Sequence, residues 1–587
     1  MGILSTMRKK VANLSSSLQH FPITILLTTL VTVLLIVLSE KSMVLRPPLA
    51  EGVSVKASLE QFKRIIAVVA LGIPISLFIQ FWLEKSKKKD RLIKVAAYLI
   101  GSIFLLVYFW YLLPNFNMVS LTRYFGFSLA FYLLALIEPY FYRRDHLETY
   151  IMAVISKALT TIAYSAVLYF GIAAILATLN TLLGINIYSN LYLYIWFIVV
   201  GIFAPILFLE SIPMIDEMVD NNQFPIIKAL LVYIFLPLIS VYTLVLYLYF
   251  AKIVMIWEWP VGIVGHLVLW YSIISTAVLF LVSPYSEENK WVKRFSNWFP
   301  KLVLPLIILM FMSLGIRIKA YGITENRYFV LAAGLWVLFS LLYLILSSRK
   351  RKIVLPLSLA VMAFLSVWGP WSAYSVSVAS QNNRFIKIIS RYDMIKDNKL
   401  EKPVTPITKE DEKEINEILT YFNRSHSLSQ IRYLPENYAL EDTKEYFGFA
   451  YQKDYNTKYF KYSIDFKTIR PLEIAGYNYW FDLNGYNNVI YETKEGLKIN
   501  YNYKNKELDV WYHEPIFLNL AEYADRVTKK YNNSRYGELN FDEMIFSAEN
   551  AHLIIKIIFK NISGKMSSIN EVLEYEPFSG TVFIAIK

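Results

Sequence analysis

Long, nearly uncharged apolar runs fill the first 380 residues of the chain. The hydrocarbon core of a bilayer is about 30 Å thick, so a helix needs roughly 20 apolar residues to cross it. About eleven runs approach or exceed that length, and each predicts a transmembrane helix. The predicted spans are residues 21–38, 65–83, 95–113, 124–141, 151–183, 191–209, 225–248, 261–282, 302–316, 328–346 and 353–371.

From residue 381 onward the pattern changes, and no apolar run is long enough to span a bilayer. Thr408 followed by Asp411 predicts a helix start, and Ile415, Ile418 and Leu419 mark one face of that helix. Alternating aromatic or β-branched and polar residues then favour strands. The predicted strands are 459–466, 474–483, 497–503, 507–512, 552–559 and 581–586, with a helix at 516–530.

These patterns predict a multi-span α-helical membrane protein with a C-terminal α+β soluble domain that contains an antiparallel sheet. The transmembrane helical domain is expected over residues 1–380 and the extracytoplasmic domain over residues 381–587. The bilayer is therefore the first expected partner of the chain.

The distribution of charge along the chain predicts the orientation of the protein in the membrane. The formal net charge is +13, and the basic excess lies entirely before residue 381, with 31 Lys and Arg against 16 Asp and Glu. Because this excess lies in the apolar part of the chain, it is expected to set the orientation in the membrane and not to bind nucleic acid. With the N-terminus inside, the segments assigned to the cytoplasm hold 19 Lys and Arg and those assigned to the outside hold 10. An odd number of spans then places the C-terminal domain outside.

Charged and aromatic side chains gather at the predicted outer ends of the spans. Guanidinium groups suit phosphate and carboxylate, so one interpretation of these residues is an anion or lipid-headgroup site. In that interpretation the cluster is at least half buried beneath the soluble domain, and Arg327 is paired with Glu325 or Glu258. The favoured interpretation is an aromatic belt with salt bridges that fix a tight loop. The candidate ligand-binding residues are Glu258, Arg317, Glu325, Asn326, Arg327 and Trp371.

Recognisable catalytic motifs are missing. The chain has no Cys, its six His residues are scattered, and it contains no P-loop, G-x-G-x-x-G, H-E-x-x-H or G-x-S-x-G pattern. We therefore predict no catalytic residue, no metal and no cofactor. The favoured function is a non-enzymatic envelope component for transport, accessory work or sensing, with a lipid headgroup or an envelope protein as partner.

The alternative is a membrane glycosyltransferase that uses a polyprenyl-phosphate sugar. Such enzymes resemble this layout of many spans followed by an extracytoplasmic domain. They generally need an acidic residue in the first outer loop, where this chain has Glu40, Glu51 and Glu60. No D-x-D or E-x-D pattern occurs in that loop, which weighs against the enzyme.

Four segments resemble a bacterial membrane-protein family known as domain of unknown function 4153. They are FPITILLTTLVTVLLIVL, LGIRIKAYGITENRYFVLAAGLWVLFSLLYLI, WGPWSAYSVSVASQ and FSGTVFIAIK, and residues 322–328 and 369–372 are the most specific parts. Val367 and Trp368 depart mildly from the smaller residue and Phe expected there. The resemblance implies a polytopic protein of the bacterial cytoplasmic membrane with a soluble tail, and it implies no reaction or cofactor.

The predicted orientation can be tested with fusions to a reporter that is active only outside the cytoplasm. A reporter placed after Lys587 should be active, and one placed after Lys89 should be inactive, because the basic segments stay inside. Activity of both fusions would contradict the orientation.

Overall fold

The computed structural model describes residues 20–44, 53–85, 91–141, 147–183, 187–213, 224–256, 263–347, 351–451, 457–465, 468, 470–471, 473–483, 488–494, 496–530, 536–567 and 573–587. The chain divides into two compact units. One comprises Met1–Lys387 with Phe422–Arg432, and the other comprises Ile388–Tyr421 with Tyr433–Lys587.

Among the described residues, helices make up most of the chain as far as residue 391. Three π-helical segments continue or link α-helices, namely Tyr108–Leu112, Val199–Phe203 and Leu230–Phe235. The α-helices are α1 (Pro22–Val44), α2 (Val53–Lys85), α3 (Arg91–Val107), α4 (Met118–Ile137), α5 (Leu147–Leu183), α6 (Asn190–Ile198), α7 (Ala204–Ser211), α8 (Pro225–Ala229), α9 (Leu236–Ile256), α10 (Ile263–Val282), α11 (Lys290–Tyr321), α12 (Glu325–Leu346), α13 (Val354–Val367) and α14 (Ala373–Arg391).

Within the described ranges, ten helical segments are long and apolar enough to cross a membrane, and the shorter apolar helix α13 occupies the eleventh predicted span. The chain is thus a polytopic membrane protein, and the predicted fold class is confirmed. Helices suit this setting because every backbone N–H and C=O must be bonded internally in hydrocarbon. The ninth predicted span, 302–316, is much shorter than α11, since charged residues at its ends do not stop the helix.

Close packing of these helices depends on small residues. A Cβ atom added to Gly126 of α4 would overlap the side chain of Val367 at the end of α13. Small residues at such positions let helix backbones approach closely, which favours van der Waals packing between helices in lipid. The last turn of α13 is held in this way against α4, and α14 follows directly.

The second unit combines helices with two larger sheets. Its helices include the main part of α15 (Lys409–Ser425), α16 (Thr443–Phe447) and α17 (Leu520–Lys530). The strands are β1 (Ile395–Lys396), β2 (Lys399–Leu400), β3 (Thr457–Ile464), β4 (Tyr479–Leu483), β5 (Val489–Glu492), β6 (Lys498–Asn502), β7 (Glu507–Tyr512), β8 (Glu514–Asn519), β9 (Tyr536–Leu539), β10 (Ile545–Glu549), β11 (Leu553–Ser567), β12 (Leu573–Tyr575) and β13 (Ser579–Ile586).

The long strand β11 organises the larger sheet. The order is β4-β13-β11-β3-β9, and β10 and β12 also pair with β11; β3 and β9 run parallel, while the other described ladders are antiparallel. Strands β5 to β8 form an antiparallel sheet in chain order. These ladders confirm the predicted α+β class with an antiparallel sheet.

Two local predictions fared differently in this unit. The helix predicted after Thr408 is correct, and the Thr408 hydroxyl accepts a hydrogen bond from the Asp411 N–H at 3.3 Å. The helix predicted at 516–530 begins too early, because β8 pairs with β7 as far as Asn519 and the helix starts only at Leu520. Hydrogen bonding to β7 therefore makes the first four residues of that segment part of a strand and not of the helix.

Candidate functional site

A glycine turn separates α11 from α12. Gly322 has φ +68°, and its N–H donates to the carbonyl of Ile318 at 2.9 Å, which closes the end of α11. A Cβ atom at this position would lie 2.8 Å from Cδ of Arg384. Glycine is therefore required both for the left-handed backbone and for the close approach of α14.

Side chains of α14 satisfy the backbone of this turn. The amide nitrogen Nε2 of Gln381, a residue only 2% exposed, donates to the carbonyls of Tyr321 at 3.1 Å and Ile323 at 2.9 Å. The Ser380 hydroxyl accepts from the N–H of Ile323 at 2.9 Å. Because helix ends leave backbone groups without intrahelical partners, these bonds fix the turn to α14.

Arg384 adds a cation to the same contact. Its Nη1 donates to the Tyr321 carbonyl and to Oε1 of Gln381, both at 3.0 Å. Two bonds from one nitrogen hold the guanidinium group beside the turn. Its orientation is thus set by the fold before any ligand arrives.

The start of α14 is fixed by a second glycine turn. Gly369 has φ +90°, and its carbonyl accepts from the N–H of Ser372 at 3.1 Å. The Ser372 hydroxyl accepts from the N–H of Ser375 at 3.4 Å, and the Tyr328 hydroxyl donates to the Trp371 carbonyl at 2.6 Å. The start of α12 and the turn before α14 are therefore in direct contact through Tyr328 and Trp371.

Tyr374, in the first turn of α14, connects this helix to α4. Its hydroxyl is 2.9 Å from that of Thr122, and the guanidinium carbon of Arg123 lies 4.6 Å from its ring centre. Burial raises the pKa of Tyr374 to about 12, so its hydroxyl stays protonated at neutral pH. This neutral hydroxyl and the cation–π contact position the beginning of α14.

Arg327 and Glu325 take different partners in this region. Nη1 of Arg327 donates to the carbonyls of Gly322 at 2.8 Å and Tyr321 at 3.2 Å. The Glu325 carboxylate lies 2.6 Å from Nε2 of His426, and their side chains are 17% and 6% exposed. The predicted pairing of Arg327 with Glu325 or Glu258 stays a prediction, since Glu258 lies outside the described residues.

The remaining predicted residues surround the same turn. Arg317 is partly buried one turn before the end of α11, Asn326 is exposed at the start of α12, and Trp371 is 51% exposed before α14. His426 was not predicted as a site residue. It lies 101 residues from Glu325 in the chain, and no local pattern links the two.

Beside the turn lies a groove of about 530 Å³, which we call the cationic groove. Three of its side chains are cationic, namely Lys319, Arg384 and Lys387, and none of the described lining residues is acidic. None of the predicted candidates that the structure describes lines it. The described lining residues are Ile318, Lys319, Gly322, Pro370, Ser375, Val376, Ala379, Ser380, Asn383, Arg384 and Lys387.

Sequence reasoning missed the two cations of α14. Ser380, Arg384 and Lys387 are spaced four and three residues apart, so they share one face of the helix. This spacing was the available signal. It falls at the change from apolar to polar composition, where helical periodicity is easily assigned to a linker.

Two of the acidic residues assigned to the first predicted outer loop accept hydrogen bonds from other parts of the chain. The Glu60 carboxylate accepts from the N–H of Phe116 at 2.8 Å, and the Tyr194 hydroxyl donates to Glu40. Glu51 lies outside the described residues. Within the part of the chain that the structure describes, no group of three or more His, Asp or Glu residues could hold a metal ion.

Comparison with known proteins places this site in a family context. The family model described as Domain of unknown function (DUF4153) matches residues 49–395, which include the whole cationic groove. Uncharacterized protein PM1469 of Pasteurella multocida (strain Pm70) is 24% identical over 315 residues, which cover 49% of this chain and 52% of that protein. The chain thus matches about half the length of this curated relative. No solved structure matches the chain.

The anchoring role of Gln381 is testable by substitution. Gln381→Leu should lower the melting temperature of the purified protein, because the Ile323 carbonyl loses its donor, at about 1–3 kcal/mol for a buried group left unbonded. The Tyr321 carbonyl keeps its bonds from Arg327 and Arg384. Asn383→Leu is the matched control, since Asn383 is exposed two residues further along α14. Unfolding is followed by intrinsic fluorescence in detergent. Equal melting temperatures for the two variants would contradict this role.

Proposed function

The chain belongs to the family described as domain of unknown function 4153, and we propose that it is a non-enzymatic envelope protein that binds an anionic lipid headgroup in the cationic groove. In this proposal the protein lies in the bacterial cytoplasmic membrane and serves transport or accessory work. The N-terminus is inside, and the groove and the C-terminal domain face outward.

The observation that carries the proposal is the charge of the groove. Arg384 is held in place by Gln381 and the Tyr321 carbonyl, whereas Lys319 and Lys387 have exposed side chains. Among the residues that the structure describes, neither lysine forms a salt bridge. A preorganised guanidinium fork and two exposed ammonium groups together suit a phosphate group.

The position of the groove supports a lipid as the source of that phosphate. Tyr321, Trp368 and Trp371 are exposed large side chains at the ends of α11 and α13 and just before α14. Tyr and Trp collect at the level of lipid headgroups, where one part of the ring system is apolar and another is wet. These aromatic residues therefore support an opening of the groove at headgroup depth.

The outward orientation rests on the distribution of basic residues. Cytoplasmic segments of membrane proteins are enriched in Lys and Arg, and the segments on the other side of the predicted spans from the groove carry most of them. An outward groove then faces lipids and solutes of the outer leaflet.

A photolabelling experiment tests the proposed ligand. The full chain is reconstituted in vesicles that contain phosphatidylglycerol with a diazirine in its headgroup, and labelled peptides are located by mass spectrometry. We expect labels on residues 375–387. The double variant Lys319→Gln/Lys387→Gln should reduce them about tenfold or more, because each basic residue near a membrane surface contributes about 1 kcal/mol.

Lys290→Gln provides the matched control. Lys290 is exposed at the opposite end of α11 and does not line the groove. This variant should leave labelling of residues 375–387 unchanged. Labels that are absent from this segment in the unmodified protein, or that survive the double variant, would contradict the proposed function.

A further inference from the structure

A second polar cavity lies at the opposite ends of α11 and α12. Its volume is about 220 Å³, and its walls come from the turn after α10, the first part of α11, the last part of α12 and the start of α13. It shares no lining residue with the cationic groove. It is therefore an independent candidate site.

One wall is built around a buried carboxylate. Glu148, only 4% exposed, forms an ion pair with Lys352, and the Ser283 hydroxyl donates to the same carboxylate at 3.2 Å. Nζ of Lys352 also donates to the Ser283 hydroxyl at 2.9 Å. The charge of Lys352 is thus balanced within the wall, and this wall adds no net charge to the cavity.

The Ser283–Lys352 contact invites comparison with a serine nucleophile and its lysine base. In such a pair the amine must accept the hydroxyl proton. Here Lys352 donates to Ser283 and is paired with Glu148, so the lysine is placed as a donor. The contact is better explained as a fixed, neutral wall.

The opposite wall is a face of α11 with unused donors. Lys293, Ser296 and Asn297 lie at positions i, i+3 and i+4, so they project from one side of the helix into the cavity. The Ser296 hydroxyl oxygen is buried and has no hydrogen-bond partner among the described residues. A buried hydroxyl without a partner is destabilising, which favours a ligand that carries acceptors.

The surroundings of this face favour an anion. Lys293 is an exposed ammonium group, and the described salt bridges leave it without an acidic partner. The first part of α11 also carries three more basic residues, Lys290, Arg294 and Lys301. A cluster of one sign around a concave site raises the local concentration of the opposite charge.

From this arrangement we propose that the cavity binds a phosphate group, with the ammonium of Lys293, the hydroxyl of Ser296 and the amide of Asn297 as its donors. A phosphate oxygen satisfies the buried hydroxyl and is neutralised by the ammonium. Basic pockets between transmembrane helices bind phosphate-bearing lipid headgroups in this way. The same chemistry suits inorganic phosphate.

The experiment uses the full-length protein with Lys319→Gln/Lys387→Gln, so that binding in the cationic groove is weakened. Its melting temperature is followed while inorganic phosphate, dihexanoyl phosphatidylglycerol or dihexanoylglycerol is titrated. We expect stabilisation by at least one of the two phosphate compounds. Addition of Lys293→Gln and Ser296→Ala should weaken the apparent affinity about tenfold or more, which corresponds to about 1.4 kcal/mol. Adding Lys252→Gln instead, at an exposed residue of α9 that does not line the cavity, should leave it unchanged.

The three compounds distinguish the source of the phosphate. Stabilisation by inorganic phosphate as well as by the lipid supports a free anion as ligand, and stabilisation by phosphatidylglycerol alone supports a headgroup. Equal stabilisation by dihexanoylglycerol, which lacks phosphate, would overturn the site. The same conclusion follows if the Lys293→Gln/Ser296→Ala protein responds as its parent does. Because the groove variants are present throughout, either outcome is independent of the proposed function.

Discussion

The backbone carbonyls of the turn between α11 and α12 depend on donors from α14. Gln381 bonds two of them, and Arg384 and Arg327 both bond that of Tyr321. Polar backbone at a membrane surface needs such partners, because leaving a buried group unbonded costs more than the bond itself contributes. These contacts fix which face of α14 meets the turn, and the cationic groove is the space left beside them.

The helical part of the fold was predictable because one constraint dominates it. Hydrocarbon admits helices of a minimum length and excludes unbonded backbone, so uncharged runs locate the spans. The ends of the helices were less predictable, since α11 continues through charged residues as far as Tyr321. In the C-terminal domain, the segment 516–530 splits into β8 and α17, since pairing with β7 overrides local helical preference.

The two glycine turns of the candidate site could be predicted from the sequence, but the residues that line the cationic groove could not. Gly322 and Gly369 lie in segments that the family resemblance marked as specific, and both adopt positive φ. Arg384 and Lys387 reach the groove only because α14 folds against the turn, and His426 meets Glu325 across 101 residues. Long-range contacts of this kind leave no periodic signal in a single sequence.

In the proposed function, the fold forms an anion site beside the Gly322 turn. A cryo-EM map of the full chain in nanodiscs that contain phosphatidylglycerol tests this site most directly. We expect headgroup density in the groove, within hydrogen-bonding distance, about 3 Å, of Lys319, Arg384 or Lys387. A groove closed by protein side chains, or one whose lysines pair with carboxylates of the same chain, would contradict it.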